Sequence, residues 1–229
     1  MIFDITEENI RAIHIELENK FPLMQKGVEK EGLIQALIEK QNRILFGSEN
    51  PYDTIYLKAA VLTEGLIRWH IFTDGNKRTA LMSTFIYLRG NKHYLAIPID
   101  SVRFLIKIAD TRENDEDSTN KLIKEIADWL HEYSATEEWE FFGKVGKYNT
   151  LPALKVNLLY FFGFRKKAKK ITDYWYAIDT GHTDYIQEAQ ETSKLIRDVM
   201  TGTVTQLYHT LRMKKKNKPR KLQDGTKSV

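Results

Sequence analysis

The stretch His70-Ile71-Phe72-Thr73-Asp74-Gly75-Asn76-Lys77-Arg78-Thr79-Ala80 decides how this chain is read. It packs charged and polar side chains into a few positions between two segments of helical periodicity. On the upstream side Ile55, Ala59, Leu62 and Leu66 recur on one face, which predicts a helix beginning at Asn50 with Pro51 in its first turn and ending near Trp69. On the downstream side Leu81, Phe85 and Leu88 fall four and three apart, which predicts a second helix over Thr79 to Asn91. A polar loop held between two helices is a candidate site rather than a linker.

Each residue type in the loop suits one task. Gly75 permits a sharp turn, and the amides after it open a helix, where unpaired N–H groups and the helix dipole favour an anion such as phosphate. Lys77 brings a point charge and Arg78 a planar fork suited to two phosphate oxygens, and Asn76 offers amide donors to the same oxygens. Asp74 is a hard oxygen ligand beside that anion site, as a Mg2+ ion bridging two phosphates requires. His70 carries an imidazole, the side chain suited to taking a proton from a hydroxyl near neutral pH. Phe72 alternates with polar neighbours and is expected to point into the core and anchor the loop. A lone histidine at a helix end is commonly a cap, and a Lys-Arg pair is commonly solvated surface. The constellation outweighs those single readings because six polar residues share one tight loop.

Outward from the loop, helical spacing continues from Ile5 to Tyr133, with further helices expected at Ser101 to Ala109 and Ser118 to Tyr133. Residues 1–135 read as an all-α domain. Charge divides the chain at the same place: residues 1–135 hold 17 Lys and Arg against 21 Asp and Glu, and residues 136–229 hold 18 against 10. The second region, 136–229, is basic and aromatic-rich, and its fold, α or α+β, stays open at this stage. Leu154 to Phe162 and Ile171 to Ile178 read equally as strand or buried helix, a helix is expected over His182 to Met200, and the tail from about Met213 reads as disordered. The aromatic cluster from Trp139 to Tyr176 is expected to form a packed core of this extension.

There is no cysteine among the 229 residues, which excludes disulfides, thiolate metal sites and a cysteine nucleophile. The acidic opening MIFDITEENI is unlike a secretory signal and no apolar run reaches the length of a membrane span, so a cytoplasmic protein with no membrane partner is expected.

The pattern His70-x-Phe72-x-Asp74-Gly75-Asn76-x-Arg78 resembles the signature of the Fic (filamentation induced by cAMP) family, and its variant is similar to the Doc (death-on-curing) branch. Adenylylating Fic enzymes usually carry Gly where this chain has Lys77 and a second Arg where it has Leu81. The likeness extends over roughly residues 1–133, through Ile5-Thr6, Ile13-His14, Gly32-Leu33, Ala36-Leu37, Tyr52-Asp53-Thr54, Lys58-Ala59-Ala60 and Thr79-Ala80-Leu81. The resemblance implies a Fic-fold helical core with a target-docking flap near Ile44 to Pro51. It also implies ATP and Mg2+ as cofactors, a target protein such as the translation factor modified by Doc toxins, and an antitoxin partner. By this resemblance the Doc-type reaction moves the γ-phosphoryl of ATP to a Ser or Thr hydroxyl, whereas related Fic enzymes move AMP. Lys77 tilts the reading toward phosphorylation.

Many Fic proteins are restrained by a helix with Ser or Thr, three free positions, Glu, then Gly or Asn. Before Glu8, Glu18, Glu31, Glu49, Glu64 and Glu113 the residue four back is Asp4, His14, Gly27, Leu45, Ala60 or Ala109, so the pattern is absent. Restraint is then expected from a separate antitoxin or from the chain's own extension. A reading of a different class is a regulatory protein on a Fic scaffold, gripping nucleic acid through Arg165 to Lys170, Lys214 to Lys216 and Arg220-Lys221. A solvated basic tail is the preferred reading of those residues.

Overall fold

A computed structural model of the chain describes residues 3–22, 24–28, 30–42, 51–113, 115–175 and 186–216. The expected flap near Ile44 to Pro51 lies, apart from Pro51, outside the described residues, as do Tyr176 and residues 217–229.

Helix α1 (Glu7–Lys20) starts at a reciprocal cap, in which the Thr6 hydroxyl accepts from the Asn9 N–H and the Asn9 side chain accepts from the Thr6 N–H. Helix α2 (Leu33–Gln41) follows Gly32 in the left-handed conformation. Helix α3 (Ile55–Arg68) is the axis of the fold. Every residue from Ala59 to Ile67 is buried, and α2, α4 (Asn76–Gly90), α5 (Ser101–Asp110) and α6 (Glu116–Tyr133) pack around it. Such a helix must be apolar or internally satisfied on all sides. Its polar Thr63 bonds to the Ala59 carbonyl and to Thr84 of α4, and its Glu64 pairs with Lys40 and Arg68.

Two strands of two residues each, β1 (Tyr94–Leu95) and β2 (Ser134–Ala135), pair antiparallel and tie the end of α4 to the end of α6. Beyond them the chain stays helical among the described residues: α7 (Glu138–Val145), a π turn (Gly146–Thr150), α8 (Leu151–Phe161), α9 (Arg165–Trp175) and α10 (Ile186–Lys216). Of the two runs that read equally as strand or helix, the first is helical to Phe161 and the second over its described part, Ile171 to Trp175; residues 176–178 lie outside the described residues. Phe141, Val145, Ala189, Ile196, Met200 and Leu207 from this region join the same hydrophobic core as Leu62, Phe72 and Leu88. Among the described residues no helix is long and apolar enough to cross a membrane.

Several expected boundaries move. Helix α3 begins at Ile55 rather than Asn50, because the Thr54 hydroxyl accepts from the Leu57 N–H and leaves Pro51 in a turn. Helix α4 begins at Asn76, three residues before the expected Thr79, because Gly75 caps it at φ 72°. Helix α6 begins at Glu116, capped by Asp115. Helix α10 continues to Lys216, past the expected onset of a disordered tail.

The aromatic cluster is only partly a core, which corrects the sequence reading. Phe141 is fully buried and Trp175 nearly so, but Trp139 is 76% exposed and Phe161 83%. The α8–α9 pair buries only a small cluster of its own, Val156, Ala168 and Trp175, which leaves the outer faces of both helices uncovered.

Packing at the axis is tight enough to reverse a propensity rule. A Cβ on Gly65 would stand 2.3 Å from Leu37 Cδ1. Ala normally improves a helix interior by about 1 kcal/mol over Gly, yet overpacking a core costs about 1–3 kcal/mol. Gly65→Ala is expected to lower the denaturant midpoint, and Gly65→Ala combined with Leu37→Ala should lose less than the sum of the two single changes.

Candidate active site

The loop from His70 to Gly75 joins α3 to α4 and is held from both sides. Gly27, Val28 and Lys30 lie antiparallel beside it: the Lys30 N–H donates to the Ile71 carbonyl at 3.2 Å and the Thr73 N–H to the Gly27 carbonyl at 3.1 Å. Asn76 closes the loop on itself, accepting from the Phe72 N–H at 3.0 Å and donating to the Phe72 carbonyl at 2.8 Å. Its amide therefore shapes the turn, a use the sequence reading did not include.

Ile71 and Phe72 are buried, and the Phe72 ring stacks on the His14 imidazole at 3.7 Å between centroids, 13° from parallel. His70 stays exposed, with φ 50°. A left-handed conformation is uncommon for a side chain other than Gly and costs on the order of 1–3 kcal/mol. It turns the backbone so that Ile71 enters the core directly after a solvated imidazole. Gly75 is left-handed too, which favours glycine by conformation, and the end of the Met24 side chain packs over the turn.

Starting α4 at Asn76 places Lys77 and Arg78 in its first turn, where no side chain caps the helix. This end carries the positive pole of the helix dipole and is suited to anionic oxygens. Asp74 lies at the rim, a third exposed; its carboxylate accepts from the Gly75 N–H and, at 3.3 Å, from the Gln25 N–H. Among the described residues no group of three or more His, Asp or Glu is clustered for a metal.

The unexpected members of the site come from α10. Lys77 Nζ pairs with Glu188 at 2.9 Å, and the Arg78 guanidinium pairs with Glu191 and, at 3.5 Å, with Asp74. Arg78 is 1% exposed and lies over the Phe21 ring at 4.9 Å. Arg78, expected as a planar fork for phosphate oxygens, is thus a buried cation held by a carboxylate 113 residues away. Beside Lys77 and Glu188 the space left against α5 is a cavity of about 10 Å3, no more than one water fills. Glu188 and Glu191 are three apart on a helix and share a face. That spacing is the signal the sequence carries for the pair, and neither residue precedes Gly or Asn as the family's restraining pattern requires.

The geometry thus joins His70, Asp74, Gly75, Asn76, Lys77 and Arg78 on one short turn. The Fic/DOC family sequence model matches residues 4–88. Toxin Doc of Mycolicibacterium smegmatis is 32% identical over 93 residues, which are 40% of this chain and 71% of that protein. This chain belongs to the Fic/Doc family. No solved structure matches it significantly. The residues matched to the family model run from α1 through nearly all of α4, so this Fic/Doc chain carries its family likeness on the helices that build the loop, and α10 lies outside it.

His14 supports the Fic/Doc loop from beneath. It is buried, its Nδ1 is 2.9 Å from the Thr79 hydroxyl, and its Nε2 lies 3.3 Å from Glu18, which also accepts from the Gly27 N–H at 3.0 Å. Burial pushes the imidazole below its ordinary pKa, with Arg78 acting the same way and Glu18 and Asp74 opposing. The folded chain therefore resists a proton that the unfolded chain accepts below about pH 6.5. Stability from this group is complete above that value and falls as the solution is acidified. His14→Gln is expected to reduce the loss of unfolding free energy between pH 7 and pH 5, measured by denaturant titration; equal losses in both proteins would exclude this role.

Proposed function

We propose that this Fic/Doc chain is a Doc-type transferase that phosphorylates a Ser or Thr hydroxyl of a target protein with ATP and Mg2+. The observation that carries the reading is the head of α4, where an uncapped helix start and two cations hold carboxylate oxygens. Those carboxylates stand where phosphate oxygens would be held, so the donor set fits a polyphosphate. Gly75, Lys77 and Arg78, with the backbone N–H of Asn76, whose side chain is engaged by the Phe72 backbone, are the residues that would hold the nucleotide. Asp74, a partly exposed carboxylate at the rim, suits a hard cation and would hold Mg2+, which when bound neutralises phosphate charge.

In this scheme His70 takes the proton of the target hydroxyl as that oxygen bonds to the γ-phosphorus and the bond to the departing ADP breaks. His70 is exposed, as a base that meets a protein substrate must be. Phe72, pinned between His14 and the core, keeps the loop in register beneath it. Lys77 in place of the adenylylating family's Gly, and Leu81 in place of its second Arg, favour γ-phosphoryl over AMP transfer. The likeness to Toxin Doc supports a toxin context with an antitoxin partner.

The same observation supplies a restraint. Glu188 and Glu191 occupy both cations, so a nucleotide must displace α10 from the head of α4 before its phosphates can be held. The expected restraint from the chain's own extension is the one this geometry supports, without the sequence pattern that usually marks it.

Incubation with γ-labelled ATP and bacterial extract is expected to label a protein band, and His70→Ala should abolish that labelling while ATP still binds. α-Labelled ATP should give no band. Label from α-labelled ATP would replace phosphorylation with AMP transfer, and full labelling by His70→Ala would remove His70 from the scheme.

A further inference from the structure

A cavity of about 390 Å3 lies between the α7–π turn–α8 stretch and the middle of α10, away from the loop described above. Its size falls within the range of small-molecule sites. Val145, Ile196, Met200 and Val204 give it a mainly apolar wall. Thr150, Thr201, Thr205, Asn149, Ser193 and Arg197 interrupt that wall with polar groups, and two of their atoms are buried without a partner. Ser193 is 8% exposed and its hydroxyl has no hydrogen-bond partner, and the buried Asn149 Nδ2 has none either. Both residues line the cavity.

An unsatisfied buried polar group costs about 1–3 kcal/mol, so two around one void call for a partner inside it. The Asn149 amide and the Ser193 hydroxyl both donate, and the group that satisfies both is an acceptor oxygen. Arg197, exposed and also lining the cavity, favours an acceptor that carries negative charge. Asn149 belongs to the π turn between α7 and α8, a rare geometry that recurs at functional sites.

We propose that this cavity is a binding site for a small amphiphile, an apolar chain ending in a carboxylate, with the head group on Ser193, Asn149 and Arg197. Ser193 stands two residues beyond Glu191 on the same helix, so a ligand here holds α10 in the position that covers Lys77 and Arg78. By linkage such a ligand weakens nucleotide binding and nucleotide weakens it in return. This coupling rests on the functional reading of Glu188 and Glu191; the cavity site does not.

Calorimetric titration of the full chain with sodium decanoate tests both. One decanoate should bind per chain. Ala153→Phe, which fills the cavity from α8, should abolish binding, and Ser193→Ala should weaken it about fivefold to tenfold, the worth of one hydrogen bond. Should Ala153→Phe fail to fold by circular dichroism, Ser193→Ala decides alone. No binding to the parent chain, or affinity unchanged by these substitutions, overturns the site. With decanoate saturating, the Kd for ATP should rise severalfold. An unchanged Kd for ATP with decanoate bound overturns the coupling and leaves the site standing.

Discussion

Arg78 is a guanidinium with almost no access to water, and the structure around it follows from that constraint. A buried cation is tolerated only with carboxylates and hydrogen bonds close by, because its lost hydration must be offset locally. One carboxylate, Asp74, comes from within the loop and the other, Glu191, from α10. The pair with Glu191 ties the long C-terminal helix to the head of α4, and the parallel pair of Lys77 with Glu188 sets that helix in register. What looks locally like a polar turn between helices is a junction between the family-matched helices and α10.

The turn is preorganised to receive negative charge. Gly75 adopts a conformation that other residues resist, Met24 packs over it, and Asn76 spends its amide on the Phe72 backbone. These contacts fix the helix start with its amides uncapped and two cations beside it, so binding an anion requires little rearrangement of the loop itself. The rearrangement required is in α10. In the structure the head of α4 is held by carboxylates of the same chain, so under the proposed function the anion would have to displace α10.

The loop, its bracketing helices and its candidate base, metal ligand and cations were legible in the sequence because each depends on near neighbours. Periodicity marked α3 and α4, and Gly75 marked the turn. The start of α4 was misplaced by three residues because a left-handed glycine cap leaves no side-chain signature. The burial of Arg78 was not legible, since its partner Glu191 is 113 residues away and no local pattern connects them. The aromatic run from Trp139 to Tyr176 differs for the opposite reason: composition suggests a core, while the α8–α9 pair has too few inward residues to bury Phe161, and Trp139 on α7 faces outward.

The central claim is that Glu188 and Glu191 occupy the place of a nucleotide's phosphates. Titration of ATP and Mg2+ into the unmodified chain and into the Glu188→Gln/Glu191→Gln double variant tests it directly, because the substitutions keep size and remove charge. Tighter binding by about tenfold or more in the double variant, equivalent to at least about 1.4 kcal/mol of relieved competition, is the predicted result. Equal or weaker binding in the double variant would contradict it.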